Sequence, residues 1–174
     1  MDIGLARRIW VQESLTGWRE NVVVVKGMDY MIEIIGNLWD FYEVPNRIIC
    51  ITTNGTVKKN GCCVMGRGCA SEAAKRIPQL AYLVGQGIKQ AGNVMLRFPE
   101  LKLFTFPVKH NWWEQADLEL IRDSARSLEY WAKEEPYTTF ILPRPGCGNG
   151  KLKWKDVKPV IKFLPDNVEV ITYD

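Results

Sequence analysis

Short runs of apolar and β-branched residues, bounded by turn residues, recur along the chain and predict β-strands. Residues 47–53 form such a run, which ends at Asn54-Gly55, a strong turn signal. Residues 138–142 (TTFIL) are typical of a strand at the centre of a sheet. The same patterns predict four further strands, at residues 31–35, 94–97, 101–108 and 168–172.

Apolar residues spaced by three and four predict helices between these strands. The clearest helix covers residues 113–133, with Asn111 as its cap and Glu114 as the capping-box partner. Its predicted buried stripe consists of Leu118, Ile121, Ala125, Leu128 and Ala132. Other helices are predicted at residues 70–76, at residues 79–90 after Pro78, and around Trp154, Val157, Ile161 and Leu164, where Pro159 is tolerable only near the first turn.

Strands that alternate with helices predict an α/β fold, with helices on both faces of a mixed, mostly parallel central sheet in three layers. Residues 31–174 are predicted to form this domain. Residues 1–30 are assigned to an N-terminal extension of unknown role, with a short helix at 5–10 and a possible extra strand at 21–26. Ligands bind such sheets beyond the carboxyl ends of the strands, where two glycine-rich loops, residues 54–68 and 143–150, are expected.

Composition narrows the class of protein. The chain has 174 residues, 47% of them hydrophobic and 25% charged, which fits one globular domain and not a disordered chain. No apolar run approaches the ~20 residues of a membrane span, and the N-terminus lacks the apolar core of a secretory signal. We therefore expect a monomeric cytoplasmic protein without a membrane partner.

The cysteines and the single histidine, His110, limit the possible chemistry. The five cysteines form no CxxC pair, so the spacing of a zinc site is absent, and we expect no metal and no cofactor. One histidine without a GxSxG motif excludes most hydrolase triads. Free, reduced cysteines fit the cytosol.

The loop at residues 146–150 (GCGNG) has three glycines in five residues. Glycines allow unusual backbone angles and let a ligand approach the main-chain N–H groups, so the loop could form a nest for a diphosphate. A tight strand–helix connection that binds nothing explains the loop equally well. The patterns GxxxxGK[ST] and GxGxxG are absent, so neither a Walker nor a Rossmann site is supported.

The other loop lies in a basic part of the chain. Residues 46–76 contain six basic residues and one acidic residue, an excess that favours an anionic ligand beside the glycines, although solvated surface lysines would give the same composition. Asn54 and Asn60 offer neutral donors and acceptors suited to sugar hydroxyls, and each is also a common turn residue.

Three segments resemble the macro domains, a family that binds ADP-ribose between two loops at the carboxyl edge of its sheet. Residues 51–55 (ITTNG) resemble the family's strand with a ribose-binding asparagine, and residues 65–70 (MGRGCA) resemble its glycine loop. Residues 143–148 (PRPGCG) are most similar to the Pro-Arg-x-Gly-Cys-Gly loop of the terminal ADP-ribose protein glycohydrolase branch. The resemblance covers residues 31–174 and implies a macro-domain fold that binds ADP-ribose or a derivative.

The resemblance also implies the ligand-binding residues. Asn37, in place of a family acid, would accept a hydrogen bond from the adenine amino group. Tyr173 would lie against the adenine, with an ordinary surface tyrosine as the alternative, and Asn54 would lie near the distal ribose. The other implied residues are Leu38, Met65, Gly66, Arg67, Gly68, Pro145, Gly146, Cys147, Gly148, Asn149 and Gly150.

Two positions depart from the glycohydrolase branch, which uses a lysine and an acid. Gly150 stands in place of the acid, and the best match for the lysine is Arg97, whose guanidinium stays protonated and cannot act as an amine nucleophile. Lysine–aspartate chemistry is therefore not expected. The polar candidates for catalysis are Asn60, Cys147, Asn149 and His110, of which His110 is more typical of a strand end or helix cap because it sits beside Asn111 and no acid partner is expected nearby.

Three functions stay open. The first is an ADP-ribose binding module. The second is a hydrolase of an ADP-ribose derivative (an ADP-ribose 1''-phosphate phosphatase, a deacylase or an ADP-ribosyl glycohydrolase) that works through an ordered water. The third is an RNA-binding module, suggested by seven tryptophans. A nucleic-acid partner is disfavoured because Trp131 and Trp154 fall on core stripes, and Trp112 and Trp113 are expected to pack a helix onto the sheet.

Overall fold

The structure is a computed structural model that describes residues 31–173 and the backbone of two strands nearer the N-terminus, β1 (Ala6–Ser14) and β2 (Gly17–Val24). The chain continues through β3 (Ile32–Ile35), β4 (Arg47–Asn54), α1 (Gly68–Arg76), α2 (Leu80–Ala91) and β5 (Arg97–Phe98). It then forms β6 (Leu103–Lys109), α3 (Leu118–Glu134), β7 (Thr139–Pro143), α4 (Trp154–Ile161) and β8 (Val168–Thr172). Short 3₁₀ helices occupy Leu38–Phe41 and Pro99–Leu101.

Six strands form one mixed sheet in the order β3-β8-β7-β4-β6-β5. All neighbouring pairs are parallel except β5 and β6, which pair antiparallel at one edge. The predicted α/β fold with a mostly parallel sheet is therefore confirmed. The inner position predicted for residues 138–142 is also confirmed, because β7 lies between β8 and β4.

Alternating strand residues supply two cores, one on each face of the sheet. Ile49 and Ile51 of β4 pack with the core that contains α1 and α2. The residue between them, Cys50, packs with the opposite core, which contains α3 and α4. The predicted stripe of α3 is mostly correct, since Ile121, Ala125, Leu128 and Ala132 are buried and Leu118 is partly buried. Helices thus cover both faces, as predicted.

The N-terminal strands form a separate hairpin. β1 and β2 pair antiparallel from Ala6 with Val24 to Ser14 with Gly17, in a two-stranded sheet of their own. The predicted helix at residues 5–10 is wrong from residue 6 onward, because this backbone pairs across the hairpin. The predicted strand at 21–26 is confirmed up to residue 24, but it does not extend the main sheet. Residues 5, 25 and 26 lie outside the described residues.

The helix predicted at residues 113–133 begins later, at Leu118. The capping-box contact does form, with the Asn111 N–H donating to Glu114 Oε2 at 2.9 Å, but it closes an isolated turn. Asp117 caps the helix instead, because its side chain accepts hydrogen bonds from the first backbone N–H groups of α3.

Tertiary hydrogen bonds explain the late start of α3. The Ala116 N–H donates to the Gly150 carbonyl at 3.0 Å, and the Asp117 N–H donates to the Val108 carbonyl at 2.9 Å. Both donors are used by distant parts of the chain, so this stretch stays extended between the turn and the helix. The sequence gives no direct signal of these bonds.

Two further boundaries differ from prediction. The strand predicted at 94–97 is reduced to Arg97–Phe98, because the Leu96 N–H donates to the Thr105 hydroxyl at 2.8 Å and not to a backbone carbonyl. Pro159 lies in the second turn of α4, beyond the first turn in which it was predicted to be tolerable. The helix ends soon afterwards, at Ile161, so few hydrogen bonds are affected.

Candidate functional site

A cleft of about 870 Å³ lies at the carboxyl edge of the sheet. Its walls come from the segments that follow β4, β6, β7 and β8, the four inner strands. The volume is in the range of sites that hold small-molecule ligands. The place is that expected for a ligand site in a parallel α/β sheet.

The loop after β7 forms one wall and offers main-chain donors. The Leu152 N–H donates to the Gly146 carbonyl at 2.9 Å and the Lys151 N–H to the Gly148 carbonyl at 3.0 Å, which fixes the loop's curvature. Within residues 31–173, the backbone N–H groups of Gly148, Asn149 and Gly150 donate to no protein acceptor. Unpaired donors beside a cleft are suited to an anion with several oxygens.

Three glycines give this loop its shape and its opening. Gly146 has φ +74°, and a Cβ there would lie 2.9 Å from the Ala116 Cβ. A Cβ on Gly150 would lie 2.4 Å from the Gly146 carbonyl oxygen. At Gly148, by contrast, a Cβ would meet no atom within 4 Å. The outer two glycines are therefore required by packing, while Gly148 leaves space for a ligand.

The N-terminus of α1 forms a second wall. Arg67 is the N-cap residue and its side chain makes no capping hydrogen bond, so the start of the helix has no side-chain cap. A Cβ on Gly66 would also meet open space, and Gly68 has φ +58°. The helix dipole adds partial positive charge at this wall, which favours a negatively charged ligand.

Cations outnumber anions around the cleft. The charged side chains among its described lining residues are Arg67, Lys109, Arg144, Lys151 and Glu114. The Lys109 Nζ donates to the Asn149 carbonyl at 2.8 Å. Burial, together with the charges of Lys151 and Arg67, lowers the pKa of Lys109. A lysine amine thus faces the cleft with an increased tendency to lose its proton.

The basic excess predicted for residues 46–76 only partly reaches this site. Arg67 lines the cleft. Arg47 instead pairs with Glu169 at 3.0 Å, near the amino end of β4 and away from the cleft. The charge at the cleft comes largely from other segments, through Lys109, Arg144 and Lys151.

Arg144 is held in place from the edge of the sheet. Glu33 on β3 accepts hydrogen bonds from the Arg144 guanidinium and the Trp154 Nε1, both at 3.0 Å, and pairs with Lys158 at 2.6 Å. Burial tends to raise the pKa of Glu33, but Lys158 and Arg144 outweigh it and hold that pKa below its usual value. The ionised carboxylate therefore keeps the guanidinium at the cleft.

Aromatic side chains stand at both ends of the cleft. Tyr173 follows β8 and is 53% exposed. Trp112 and Trp113 follow β6 and are 50% and 62% exposed. Because β8 and β6 are separated by β7 and β4, the loop after β7 and the N-terminus of α1 lie between the two aromatic ends.

Several solved structures share this architecture. No protein-family model matches the sequence. The macrodomain of Thermus aquaticus DarG has a TM-score of 0.63 at 27% identity and covers 83% of this chain and 97% of that structure. The macrodomain of Mycobacterium tuberculosis DarG has a TM-score of 0.63 at 24% identity and covers 82% of this chain and 96% of that structure. This chain has the macro-domain fold.

Two further matches are to longer proteins. The chain is 30% identical to the DNA ADP-ribosyl glycohydrolase of Thermus aquaticus over an alignment of 123 residues. The match covers 64% of this chain and 34% of the relative. Thermosipho africanus DarTG in complex with ADP-ribose has a TM-score of 0.59 at 21% identity, covering 82% of this chain and 42% of that structure. The chain therefore spans about a third of the length of the curated relative it matches.

Most residues that the resemblance implied as ligand-binding come together in the cleft of the macro domain. The exceptions in the lining are Asn37, Leu38 and Pro145. Asn37 caps the 3₁₀ helix Leu38–Phe41, its Oδ1 accepting from the Trp39 N–H at 2.9 Å, and Leu38 is fully buried. The implied residues that line the cleft are Asn54, Met65, Gly66, Arg67, Gly68, Gly146, Cys147, Gly148, Asn149, Gly150 and Tyr173.

The side chain of Asn54 is held by two hydrogen bonds within its own loop. Its Nδ2 donates to the Val64 carbonyl at 2.8 Å, and its Oδ1 accepts from the Thr56 N–H at 3.0 Å. The side chain therefore closes the predicted turn and also joins the two ends of the loop. Its second amide hydrogen faces no protein acceptor among the described residues.

The candidates for catalysis separate into two groups. Asn60 and His110 do not line the cleft. Asn60 accepts the Cys62 N–H in an exposed turn, and His110 pairs with Asp117 at 3.0 Å, so the expectation that no acid lies near His110 is wrong. Cys147 and Asn149 do line the cleft, but burial raises the pKa of the Cys147 thiol, which keeps it protonated and a poor nucleophile.

The residue matched to the family's lysine, Arg97, does not reach the cleft. Arg97 lies outside the cleft lining, bonded to Glu135 at 2.8 Å, with its guanidinium 3.3 Å from the centroid of the Trp131 ring. A different residue after the second helix, Lys109 at the end of β6, supplies an amine to the cleft. Gly150 does occupy the loop without an acid, and Glu114 is the carboxylate among the described lining residues.

Lys109, Trp112 and Trp113 are among the cleft residues that the sequence reasoning missed. A signal was present, because all three follow directly after a predicted strand, where ligand sites form in such sheets. The tryptophans were misplaced because residues 113–117 were predicted as helix. Trp154 was also misplaced, since it lines the cleft and bonds Glu33.

Other groups offer no further chemistry. The five cysteines are free, and burial raises the pKa of Cys63 to about 11. Among residues 31–173, no group of three His, Cys, Asp or Glu side chains could hold a metal ion. None of the helices in the described part of the chain combines the length and apolar character needed to cross a membrane.

Proposed function

We propose that this macro domain binds ADP-ribose in the cleft, with the diphosphate against the loop after β7 and the N-terminus of α1. The observation that carries the proposal is the set of unpaired N–H groups at Gly148, Asn149 and Gly150, in a loop that lines the same cationic cleft as the helix start without a side-chain cap. A diphosphate has enough oxygens and charge to use both walls. A related structure, that of Thermosipho africanus DarTG, is a complex with ADP-ribose.

The ends of the cleft suggest the orientation of the ligand. With the diphosphate central, the adenine would stack on Tyr173 and the distal ribose would lie towards Asn54 and Lys109, at the β6 end. Burial raises the pKa of Tyr173, so its ring would stay neutral as an adenine partner. Asn54 would offer its remaining amide hydrogen to a ribose hydroxyl.

Calorimetry tests this function directly. We expect ADP-ribose to bind one-to-one and more tightly than ADP or ribose 5-phosphate, because each of these lacks part of the ligand. The affinity should persist at moderate salt. Absence of ADP-ribose binding, or steeply salt-dependent binding of an unmodified RNA in its place, would contradict the proposal.

A second candidate function is the removal of ADP-ribose from a modified nucleic acid. Two observations favour it: the 30% identity to a DNA ADP-ribosyl glycohydrolase and the Lys109 amine with its lowered pKa in the cleft. The neutral Lys109 Nζ would form a bond to the anomeric carbon of the distal ribose as the bond to the modified group breaks, and the proton lost from Nζ would pass to the departing group. Water would then displace Lys109 from the anomeric carbon, which releases ADP-ribose and restores the amine. The phosphatase and deacylase alternatives have no comparable support among the described residues.

Glu114 would assist as an anion and not as a proton donor. Its two carboxylate oxygens accept hydrogen bonds from the Asn111 backbone and side chain, which lower the pKa of Glu114. An ionised carboxylate in this cleft would orient a water or stabilise positive charge that develops on the ribose. A chromatographic assay for released ADP-ribose from an ADP-ribosylated oligonucleotide tests the activity.

We also propose that the protein is a monomer in the cytoplasm. The five free thiols are consistent with a reducing compartment. Size-exclusion chromatography with light scattering tests the monomer, and a dimer mass would contradict it.

A further inference from the structure

Glu72 of α1 is held by the side chain of Trp39. The Trp39 Nε1 donates a hydrogen bond to Glu72 Oε2. Trp39 itself is buried, and the Arg76 Cζ lies 4.6 Å from the centroid of its ring. Within residues 31–173, no donor is bonded to the other carboxylate oxygen, Glu72 Oε1. One oxygen of Glu72 is therefore fixed by Trp39, and the second is available as an acceptor.

The helix α1 brings Glu72 close to Tyr173, at the β8 end of the cleft. Cys69 and Tyr173 both line the cleft. Glu72 follows Cys69 by three residues, so it lies on the same face of the helix, about 4.5 Å further along its axis. Burial raises the pKa of Tyr173, and the negative charge of Glu72 raises it further. The carboxylate is therefore near the side chain against which we place the adenine.

Asn37 is poorly suited to accept a hydrogen bond from the adenine amino group. Its Oδ1 already accepts the Trp39 backbone N–H at 2.9 Å, and the residue lies outside the cleft lining. The other polar group of the side chain is an NH₂, which donates hydrogen bonds. A donor does not pair with the adenine amino group, because that group is itself a donor. The acceptor for this group has to come from another residue.

We propose that Glu72 determines the base specificity of the site, with Oε1 accepting a hydrogen bond from the adenine amino group while Oε2 stays bonded to Trp39. This inference rests on the proposed function and on the adenine position beside Tyr173. Adenine presents an amino donor where hypoxanthine and guanine present a carbonyl acceptor. A carboxylate oxygen pairs with the donor and repels the acceptor, so the site prefers adenine to either of the other bases.

The bond to Trp39 makes the effect of Glu72→Gln predictable. The glutamine amide has one acceptor oxygen and one NH₂ donor in place of two acceptors. The Trp39 Nε1 is a donor on a buried ring, so it would keep the amide oxygen, since a buried N–H without an acceptor is costly. The NH₂ would then face the base, where it repels the adenine amino group and suits the carbonyl of hypoxanthine.

The test compares two ligands by calorimetry: ADP-ribose and inosine diphosphate ribose, which differ only in the base. We expect the wild type to bind ADP-ribose at least about 10-fold more tightly, a comparison that needs no variant. Glu72→Gln should remove or reverse this preference, mainly through weaker binding of ADP-ribose.

Two further variants serve as controls. Glu43→Gln removes the same charge from an exposed residue that follows the same 3₁₀ helix and lies outside the cleft lining. Asn37→Ser keeps a capping oxygen for that helix but loses the amide. Both variants should keep the wild-type preference for ADP-ribose over the hypoxanthine ligand.

Each other result has a distinct meaning. Equal affinity of the wild type for the two ligands would overturn the role of Glu72 while leaving ADP-ribose binding intact. A full preference in Glu72→Gln, or an equal loss for both ligands, would show that the residue does not recognise the base. Loss of the preference in Glu43→Gln would indicate a general effect of charge, and its loss in Asn37→Ser would assign the recognition to Asn37; either result overturns the proposal. Failure of the wild type to bind ADP-ribose would instead reject the proposed function.

Discussion

The Nζ of Lys109 donates a hydrogen bond of 2.8 Å to the main-chain carbonyl of Asn149. The bond joins the end of β6 to the loop after β7, although the two residues are 40 positions apart in sequence. It places an amine beside the loop whose N–H groups we assign to the diphosphate. Both the proposed binding and the proposed hydrolysis depend on this pair.

Replacing Lys109 separates binding from hydrolysis. We expect K109R to keep ADP-ribose binding, because arginine retains the charge and the donors, but to release ADP-ribose from a modified oligonucleotide at least about 100-fold more slowly. K109A should be equally slow and should also bind more weakly. Calorimetry and single-turnover release measure the two effects, and rapid release by K109R would exclude an amine nucleophile.

The pH profile of hydrolysis should report the lowered pKa of Lys109. Burial, Lys151 and Arg67 lower that pKa from 10.5, so the neutral amine becomes populated at a lower pH than in a free lysine. The rate should therefore rise with pH and level off below the usual lysine range. Lys151→Gln removes one neighbouring charge and should move the profile to higher pH. A profile that stays in place would show that Lys109 does not carry the titration.

Substitution at Gly148 should abolish binding without loss of the fold. A Cβ at this position meets open space, so Gly148→Glu can fold, but its carboxylate would occupy and repel the diphosphate. Calorimetry should detect no ADP-ribose binding, and the circular dichroism spectrum should match the wild type.

Gly150→Ala provides the contrast to that variant. Its Cβ would lie 2.4 Å from the Gly146 carbonyl oxygen, so the loop itself must move, and we expect lower thermal stability. Full affinity of Gly148→Glu for ADP-ribose, with the fold intact, would reject the placement of the diphosphate.

Arg97 should matter for stability and not for the ligand. Its guanidinium lies over the Trp131 ring and pairs with Glu135, outside the cleft lining. We expect Arg97→Ala to lower the free energy of unfolding by about 1–2 kcal/mol, with the affinity for ADP-ribose unchanged. Arg97→Lys should restore only part of the loss, since lysine lacks the planar group. Urea denaturation measures the free energy of unfolding and calorimetry measures the affinity. A loss of affinity for ADP-ribose would show that Arg97 contributes to the binding site.

Asp117 should stabilise the start of α3 in a pH-dependent way. Hydrogen bonds from His110 and from the helix N–H groups lower the pKa of Asp117 below 3.8. Its contribution is therefore complete above about pH 4 and is lost as the pH falls through the lowered folded-state pKa. Asp117→Ala should cost about 1 kcal/mol at neutral pH, and Asp117→Asn much less, because asparagine is also a good cap. Urea denaturation at several pH values measures this, and equal stability of Asp117→Ala and wild type at pH 7 would contradict it.

Much of the fold followed from local patterns. The β-branched run that became β4 and the apolar run that became β7 were predicted close to their observed bounds, because period and propensity are properties of short segments. The start of α3 was not predicted correctly, because the carbonyl groups that accept hydrogen bonds from the residues before the helix belong to Gly150 and Val108, which are distant in sequence or lie in another strand. Arg97 was assigned to the lysine position by alignment alone, and the sequence contains no measure of which strand end reaches the cleft.

The sequence by itself determined the strand and helix order from residue 31 onward, the two glycine loops and the macro-domain resemblance, since each depends on residues that are neighbours in the chain. The tertiary structure alone decided that Lys109, Trp112 and Trp113 join Gly148 and Tyr173 around one cleft. The reason is the order β8-β7-β4-β6, in which strands distant in sequence lie side by side. Their carboxyl ends then bring together side chains that no local pattern connects.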